Sequence, residues 1–150
     1  MPFPLVSVLM PAYNCEQFIR EAIQAVLLQS FTNFEFIIIN DGSTDGTREI
    51  IHSISDPRIR FFENEKNLGI TPTLNRGLSL ATGKYVLRTD ADDIALGDMI
   101  SSLVDFMERH EDYIVCGANM RLIGGGKIIS YPSGNEELKV YTLSACPFSH

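Results

Sequence analysis

The sequence predicts an α/β protein: a mostly parallel sheet flanked by helices, with a small hairpin near the C-terminus. Three observations predict it. Apolar runs of strand length alternate with segments of helical period, the pattern of βαβ units. The first two strand-like runs, residues 5–10 and 34–39, are nearly continuous in apolar residues, as strands buried within a sheet are. Polar segments follow three of these runs at Tyr13-Asn14, Asp41 and Asp90-Ala91-Asp92. In parallel sheets ligands gather beyond the carboxyl ends of the strands, so all three polar sets are expected at one edge.

The first strand, 5–10, is expected to stop at Pro11. Asn14 reads as a helix N-cap with Gln17 at the capping-box position, ahead of Ile19, Ile23 and Val26 at helical spacing. The second strand, 34–39, is broken by Asp41-Gly42-Ser43, and Ser43 or Thr44 caps a helix that turns Ile50, Ile51 and Ile54 inward. A third strand, 58–62, follows the turn-forming Asp56-Pro57. Thr71 as N-cap with Pro72 at the first helical position starts the next helix, whose buried stripe is Leu74 and Leu78 and whose stop is Gly83. Strand four is 85–87. A helix with Ile100, Leu103 and Met107 inward comes next, then a fifth strand at 113–116 and a hairpin over 122–131 around Gly124-Gly125-Gly126.

With 150 residues, 45% hydrophobic and 21% charged, the chain is long enough for one domain with a real core. A formal net charge of −7 argues against a nucleic-acid partner, which would want clustered Lys and Arg. It does not argue against a phosphate ligand, because a bound cation can bridge acidic protein and anionic ligand. Cys15, Cys116 and Cys146 are odd in number and widely spaced, which speaks against a disulfide framework or zinc site and for a reducing compartment, the cytoplasm. The N-terminus carries no basic and apolar regions of a signal peptide, and no apolar run is long enough to span a bilayer.

The densest chemistry is Asp90-Ala91-Asp92-Asp93 at the end of strand four. At an effective dielectric near 20, two such charges ~4 Å apart repel by about 4 kcal/mol. Either the run is a solvated acidic turn or a cation relieves it, and oxygen ligands suit Mg2+ or Mn2+. Pro11-Ala12-Tyr13-Asn14 is either a plain strand-to-helix turn or a dock for a nucleotide base, with Tyr13 as the stacking ring. Asp41 either serves the helix entry or accepts a hydrogen bond from a pyrimidine imide, a charge-assisted bond about twice as strong as a neutral one. Asn67-Leu68-Gly69 precedes a helix whose free N–H groups can face a ligand. Arg76 and Arg88 either hold a diphosphate or pair with neighbouring carboxylates. Neither GxGxxG nor GxxxxGK[ST] occurs, and His52, His110 and His150 lack metal-ligand spacing.

Assembled, these motifs resemble the family 2 glycosyltransferases with the GT-A fold. Val6-Ser7-Val8-Leu9-Met10-Pro11-Ala12-Tyr13-Asn14 is similar to the family's opening strand and uridine-binding turn. The block Ile39-Asn40-Asp41-Gly42-Ser43-Thr44-Asp45-Gly46-Thr47 follows in the family's order, then Asn67-Leu68-Gly69, Asn75-Arg76-Gly77, Ala81-Thr82-Gly83-Lys84-Tyr85 and Asp90-Ala91-Asp92-Asp93. The resemblance implies inverting, metal-assisted transfer of a sugar from a nucleotide diphosphate sugar, usually UDP-linked, to a glycan or lipid-linked acceptor. The full protein would then associate peripherally with the inner face of the membrane. It implies that Pro11 and Tyr13 line the base pocket and that Asp41 binds the uracil edge. By the same resemblance Asp90 would lie near the ribose, and Asp90 and Asp92 are the candidate metal ligands for Mg2+ or Mn2+. Ala12, Asn14, Asn67, Gly69, Arg76, Arg88 and Ala91 complete the expected nucleotide-binding set.

The family's catalytic carboxylate base has no counterpart here, since no carboxylate follows Glu137. The expectation is that residues 1–150 form the nucleotide-sugar-binding part of a GT-A domain and that the base lies downstream of His150. Three rival readings remain at this point: a GT-A-like module that binds nucleotide sugar without transferring it, a sugar nucleotidyltransferase, and a plain interaction domain. A nucleotidyltransferase wants a glycine-rich, basic loop after strand one, whereas Pro11-Ala12-Tyr13-Asn14-Cys15-Glu16 has neither glycine nor lysine.

Overall fold

A computed structural model describes residues 3–122 and 128–130 of the chain. They fall into two compact units, residues 1–100 and 101–150. The first unit is built on four parallel strands, β1 (Val6–Ala12), β2 (Phe34–Asn40), β3 (Ile59–Glu63) and β4 (Tyr85–Arg88), in the order β3-β2-β1-β4. Helices α1 (Ile19–Leu27), α2 (Thr47–His52) and α3 (Ile70–Leu80) connect them in turn. The α/β class, the parallel sheet and its helical flanks therefore stand as the sequence predicts.

All seven residues of β2 are buried, as its apolar run requires of a strand with neighbours on both edges. Leu9, Ile37 and Ile39 form one core face, with Phe62, Leu74, Leu80 and Ala81 packed against it. Strand alternation turns Val8, Met10, Phe36 and Ile38 to the other face, and these too are fully buried. On α1 the buried stripe is Ile19, Ala22, Ile23 and Val26, as the 3.6-residue period dictates.

Local chemistry differs from the sequence expectation at several places. Strand β1 does not stop at Pro11 but pairs on to Ala12, opposite Asn40. The carbonyls of Leu5 and Leu9 accept from Tyr85 and Thr89 on the β4 side, so odd-numbered positions of β1 face β4. Strand β4 pairs only as far as Leu9, so the N–H that Pro11 lacks would have met no strand partner there among the described residues. Asn14 does not cap α1: the helix starts at Ile19 with no side-chain cap, after a turn in which Cys15 O accepts from Phe18 N and Ile19 N. Nor do Ser43 or Thr44 cap α2, because Asp45 Oδ1 accepts from Thr47 N instead, at 3.1 Å.

Helix α3 begins at Ile70, so Pro72 sits in its first turn, where backbone N–H groups have no helical partner to lose. Its buried residues are Thr73 and Gly77, whereas Leu78 is 53% exposed. Gly77 lets the helix approach β1: a Cβ there would stand 2.2 Å from Leu9 Cδ1. Gly83 serves a similar purpose rather than a helix stop, since its Cβ would stand 2.6 Å from Ser7 N. The helix ends instead at Ala81, which is already extended.

Helix α4 (Met99–Arg109) starts at the end of the first unit, with Ile100 and Val104 buried. In the second unit Phe106, His110 and Tyr113 form an aromatic trio with ring centroids 4.5 to 5.7 Å apart. The expected fifth strand at 113–116 is not formed, because Ile114 and Val115 are 92% and 58% exposed and the run finds no strand to pair with among the described residues. An antiparallel strand pair does form there, but it starts ahead of the expected 122–131: β5 (Met120–Arg121) pairs with β6 (Ile128–Ile129). Its expected turn at Gly124–Gly126 lies outside the described residues, as do Glu136, Glu137, Cys146 and His150. Cys15 and Cys116 are free thiols. Among the described residues no helix is long and apolar enough to cross a membrane.

Candidate functional site

Beyond the carboxyl end of β1, Tyr13 stands 48% exposed and Asn14 adopts a left-handed φ of 46°. Asparagine tolerates that region because its short side chain bonds the local backbone. Here it bonds a distant one. Asn14 N donates to Ser43 Oγ at 3.0 Å, and Asn14 Oδ1 accepts from Thr44 N at 2.8 Å. Glu16 N donates to Asp45 Oδ2 and Gly46 N donates to Glu16 Oε2, so the turns after β1 and β2 are clasped reciprocally.

The end of β2 carries Asp41, only 4% exposed. Its Oδ1 accepts from Asn64 Nδ2 at 2.6 Å and Leu68 N at 3.0 Å, and its Oδ2 accepts from Gly69 N at 2.9 Å. Burial alone would raise this carboxyl, but the bonds from Asn64, Leu68, Thr73 and Gly69 outweigh it and hold the group below its ordinary value. Asp41 is therefore ionised, and it hooks the segment ahead of α3 over the end of the sheet. Gly42, at φ 69°, permits the overlap: a Cβ there would lie 2.5 Å from Lys66 C.

Between these turns lies an open cleft of about 220 Å³, lined by Pro11, Ala12, Tyr13, Asp41, Asn67, Gly69, Ile70 and Thr73. It offers an exposed aromatic ring, an ionised acceptor and an apolar wall. The loop after β4 brings the acidic run towards the same edge, since the charge of Asp92 is felt at the Cys15 thiol. That thiol is raised by burial first, against an opposing bond to Thr47, then by Asp45 and by Asp92. Asp90 is engaged by Arg88, whose Nε and Nη2 donate to Oδ1 at 3.2 and 3.0 Å. Partial burial and then the charges of Asp90 and Asp92 raise the Asp93 carboxyl against the pull of Arg88, so this arginine does not relieve the cluster fully. Asp92 is exposed and makes no hydrogen bond or ion pair among the described residues.

The Glycosyl transferase family 2 model matches residues 7–145. The chain belongs to glycosyl transferase family 2. An uncharacterized glycosyltransferase of Haemophilus influenzae is 43% identical over 122 residues, 80% of this chain and 38% of that protein. The Escherichia coli protein named UDP-Glc:alpha-D-GlcNAc-diphosphoundecaprenol beta-1,3-glucosyltransferase WfgD is 32% identical over 125 residues, 83% of this chain and 49% of its own. The chain thus spans less than half the length of either relative. Among solved structures, S. aureus TarS 1-349 in complex with UDP-GlcNAc superposes with a TM-score of 0.67 at 29% identity, over 71% of this chain and 32% of that one. The mannosyltransferase PcManGT from Pyrobaculum calidifontis in complex with GDP-Man and Mn2+ gives 0.65 at 28% identity, over 69% of this chain and 32% of that one. Membership in the glycosyltransferase family selects that class over the nucleotidyltransferase and plain-interaction readings.

Of the residues that the sequence singles out in this family member, Pro11, Ala12, Tyr13, Asp41, Asn67 and Gly69 meet in the cleft. Asn14 stands outside its lining and serves the clasp beneath Tyr13. Arg76 is also outside it, donating to Glu63 O at 2.7 Å and to Asn64 Oδ1. Arg88 pairs with Asp90, and Ala91 is buried between the half-buried Asp90 and the exposed Asp92. Ile70 and Thr73 line the cleft without having been singled out. Their signal was their spacing, three residues apart on the first turn of α3.

Asp90 and Asp92 are hard oxygen donors and fit Mg2+ or Mn2+ by chemistry. No group of three or more His, Cys, Asp or Glu side chains suited to a metal exists among the described residues. The pair therefore fits an ion that draws most of its ligands from phosphate and water.

Proposed function

We propose that this chain binds a UDP-sugar and presents it for inverting transfer to a glycan or lipid-linked acceptor. The observation that carries the reading is the meeting of the Tyr13 ring and the ionised Asp41 in one cleft with Pro11. Tyr13 stacks on the uracil, and Asp41 accepts the pyrimidine N–H through its remaining acceptor capacity. Support also comes from UDP-GlcNAc in TarS and from the UDP-Glc named for WfgD.

The diphosphate then extends towards the loop after β4. Asp92 and Asp90 would hold a divalent ion there, which supplies Lewis-acid neutralisation of the leaving diphosphate. Arg88 keeps Asp90 oriented. In the transfer, an acceptor hydroxyl oxygen bonds to the anomeric carbon as the bond from that carbon to the phosphate oxygen breaks. The electron pair leaves with UDP, and a base takes the hydroxyl proton. We assign that base to no residue among 1–150 and propose that these residues form the donor-binding part of the site.

Calorimetric titration of UDP and GDP, with and without Mn2+, tests the reading. UDP should bind more tightly than GDP, and Mn2+ should strengthen UDP binding. Asp41→Asn should weaken UDP binding about tenfold or more, the worth of one charge-assisted hydrogen bond. Asp92→Ala should remove the Mn2+ effect and leave metal-free binding intact. A preference for GDP overturns the base assignment, and equal UDP affinity with and without Mn2+ overturns the role of Asp92.

A further inference from the structure

Arg76 is used behind the cleft. Its Nη1 donates to Glu63 O at 2.7 Å and to Asn64 Oδ1, and its guanidinium lies 5.9 Å from the centroid of the Phe62 ring. Asn64 is 5% exposed, and its Nδ2 donates to Asp41 Oδ1 at 2.6 Å and to Thr73 Oγ1 at 3.0 Å. The two neighbours of this amide are opposites. A guanidinium only donates and a carboxylate only accepts. A flipped Asn64 would set Nδ2 against the guanidinium and Oδ1 against the carboxylate, so Arg76 leaves the amide a single workable orientation. In that orientation Asn64 and Leu68 N bond Asp41 Oδ1 and Gly69 N bonds Oδ2, with the Thr73 hydroxyl a further partner of the carboxylate.

Resting on the uridine-pocket reading above, we infer that Arg76 and Asn64 are positioning residues for base selection: the relay Arg76–Asn64–Asp41 fixes the orientation in which the carboxylate meets the pyrimidine. Uracil offers an N–H at that edge, whereas cytosine offers a bare ring nitrogen that an oriented carboxylate repels. The relay therefore sets discrimination between the two bases. It also gives Arg76 a task in which the phosphates take no part, although a cation near a nucleotide site suggests a phosphate ligand at first sight.

The test is titration of UMP, UDP and CDP into the full-length protein, as wild type, Arg76→Met and Arg76→Lys. Arg76→Met should weaken UMP and UDP by the same factor, about tenfold for one buried charge-assisted bond, and should cut the preference for UDP over CDP by a similar factor. Arg76→Lys keeps one donor and should fall between, and it carries the comparison if Arg76→Met does not fold. A larger loss for UDP than for UMP makes Arg76 a phosphate ligand and overturns the relay. An unchanged preference for UDP over CDP overturns it as well, because general loosening weakens both alike. If the wild type binds none of the three, the uridine-pocket reading is what fails. The relay is then judged on the nucleotide-free protein, where Arg76→Met should speed hydrogen exchange at the Leu68 and Gly69 amides, and unchanged exchange refutes it.

Discussion

Glu35 tests the physical account of the scaffold most sharply. It is 7% exposed on β2, and its Oε1 accepts from Ser7 Oγ at 2.6 Å and from Thr82 N and Oγ1 at 2.7 Å, while Oε2 takes Arg60. Arg60 in turn donates to Leu80 O, so one carboxylate ties β1, β2 and β3 to the link between α3 and β4. Burial would raise Glu35, but the bonds from Ser7, Arg60 and Thr82 overcome it and lower the group from 4.5 to about 2. A folded value below the unfolded one contributes stability that is complete above the unfolded value and lost as pH falls through the folded one. At about 1.4 kcal/mol per pH unit, the difference is worth about 3 kcal/mol at neutral pH. By linkage about 2 kcal/mol of that is gone by pH 3. Urea denaturation of wild type and Glu35→Gln, followed by circular dichroism at steps from pH 7 to pH 3, reads both quantities. The variant should be less stable by about 3 kcal/mol at pH 7, and the gap should narrow by about 2 kcal/mol at pH 3. A gap that stays constant across this range, or a variant as stable as wild type at pH 7, refutes the argument.

Two further substitutions set opposing effects against each other. Gly77→Ala gains up to about 1 kcal/mol of helix propensity but forces a methyl to within 2.2 Å of the buried Leu9 Cδ1. Overpacking costs about 1–3 kcal/mol, so urea denaturation should show net destabilisation, and a stabilised variant would mean that α3 does not lie as close to β1 as described. Gln29→Leu keeps an apolar bulk at a 4%-exposed site but removes the Oε1 acceptor for Ile100 N at 3.1 Å and the Nε2 donor to Ala95 O at 3.2 Å. Unpaired buried backbone groups should cost about 1–3 kcal/mol in the same assay, and a change within about 0.5 kcal/mol would show that water replaces the amide.

What the sequence reveals and what it hides divide along a physical line. Strand and helix order is legible because burial imposes periods of 2 and 3.6, and Phe34–Asn40 or Ile19–Leu27 carry those periods openly. Caps are less so. Asn14, Ser43 and Thr44 have the right side chains for capping, but their hydrogen bonds join two loops about 30 residues apart. Local rules assign such side chains to their own helix, and nothing in the spacing announces the distant partner. Arg76 is similar: its charge is plain in the sequence, but its partners Asn64 and Glu63 O are not. Gly77 reads as a weak point of a helix until Leu9 is seen against it. The apolar run at 113–116 reads as a strand because propensity describes the residue and says nothing of whether a neighbouring strand exists.

The convergence at the candidate site follows from strand order. The chain moves outward from β1 to β2 to β3 and then returns to lay β4 on the opposite edge of β1. The direction of winding therefore reverses between β1 and β4, and a crevice at such a switch point is where parallel sheets take ligands. Two details open it here. β4 pairs with β1 only up to Leu9, while β1 continues through Met10, Pro11 and Ala12 alongside β2. On that bare side Pro11 presents no N–H, so no backbone donor is orphaned in the opening. Asp41 and the Asn64-to-Gly69 segment close the β2 side, and the loop after β4 brings the acids from the other. A proline at position 11 and a short β4 are thus parts of one arrangement. Lengthening β4 by two paired residues would fill the crevice from its own edge of the sheet, without altering any residue that lines the cleft.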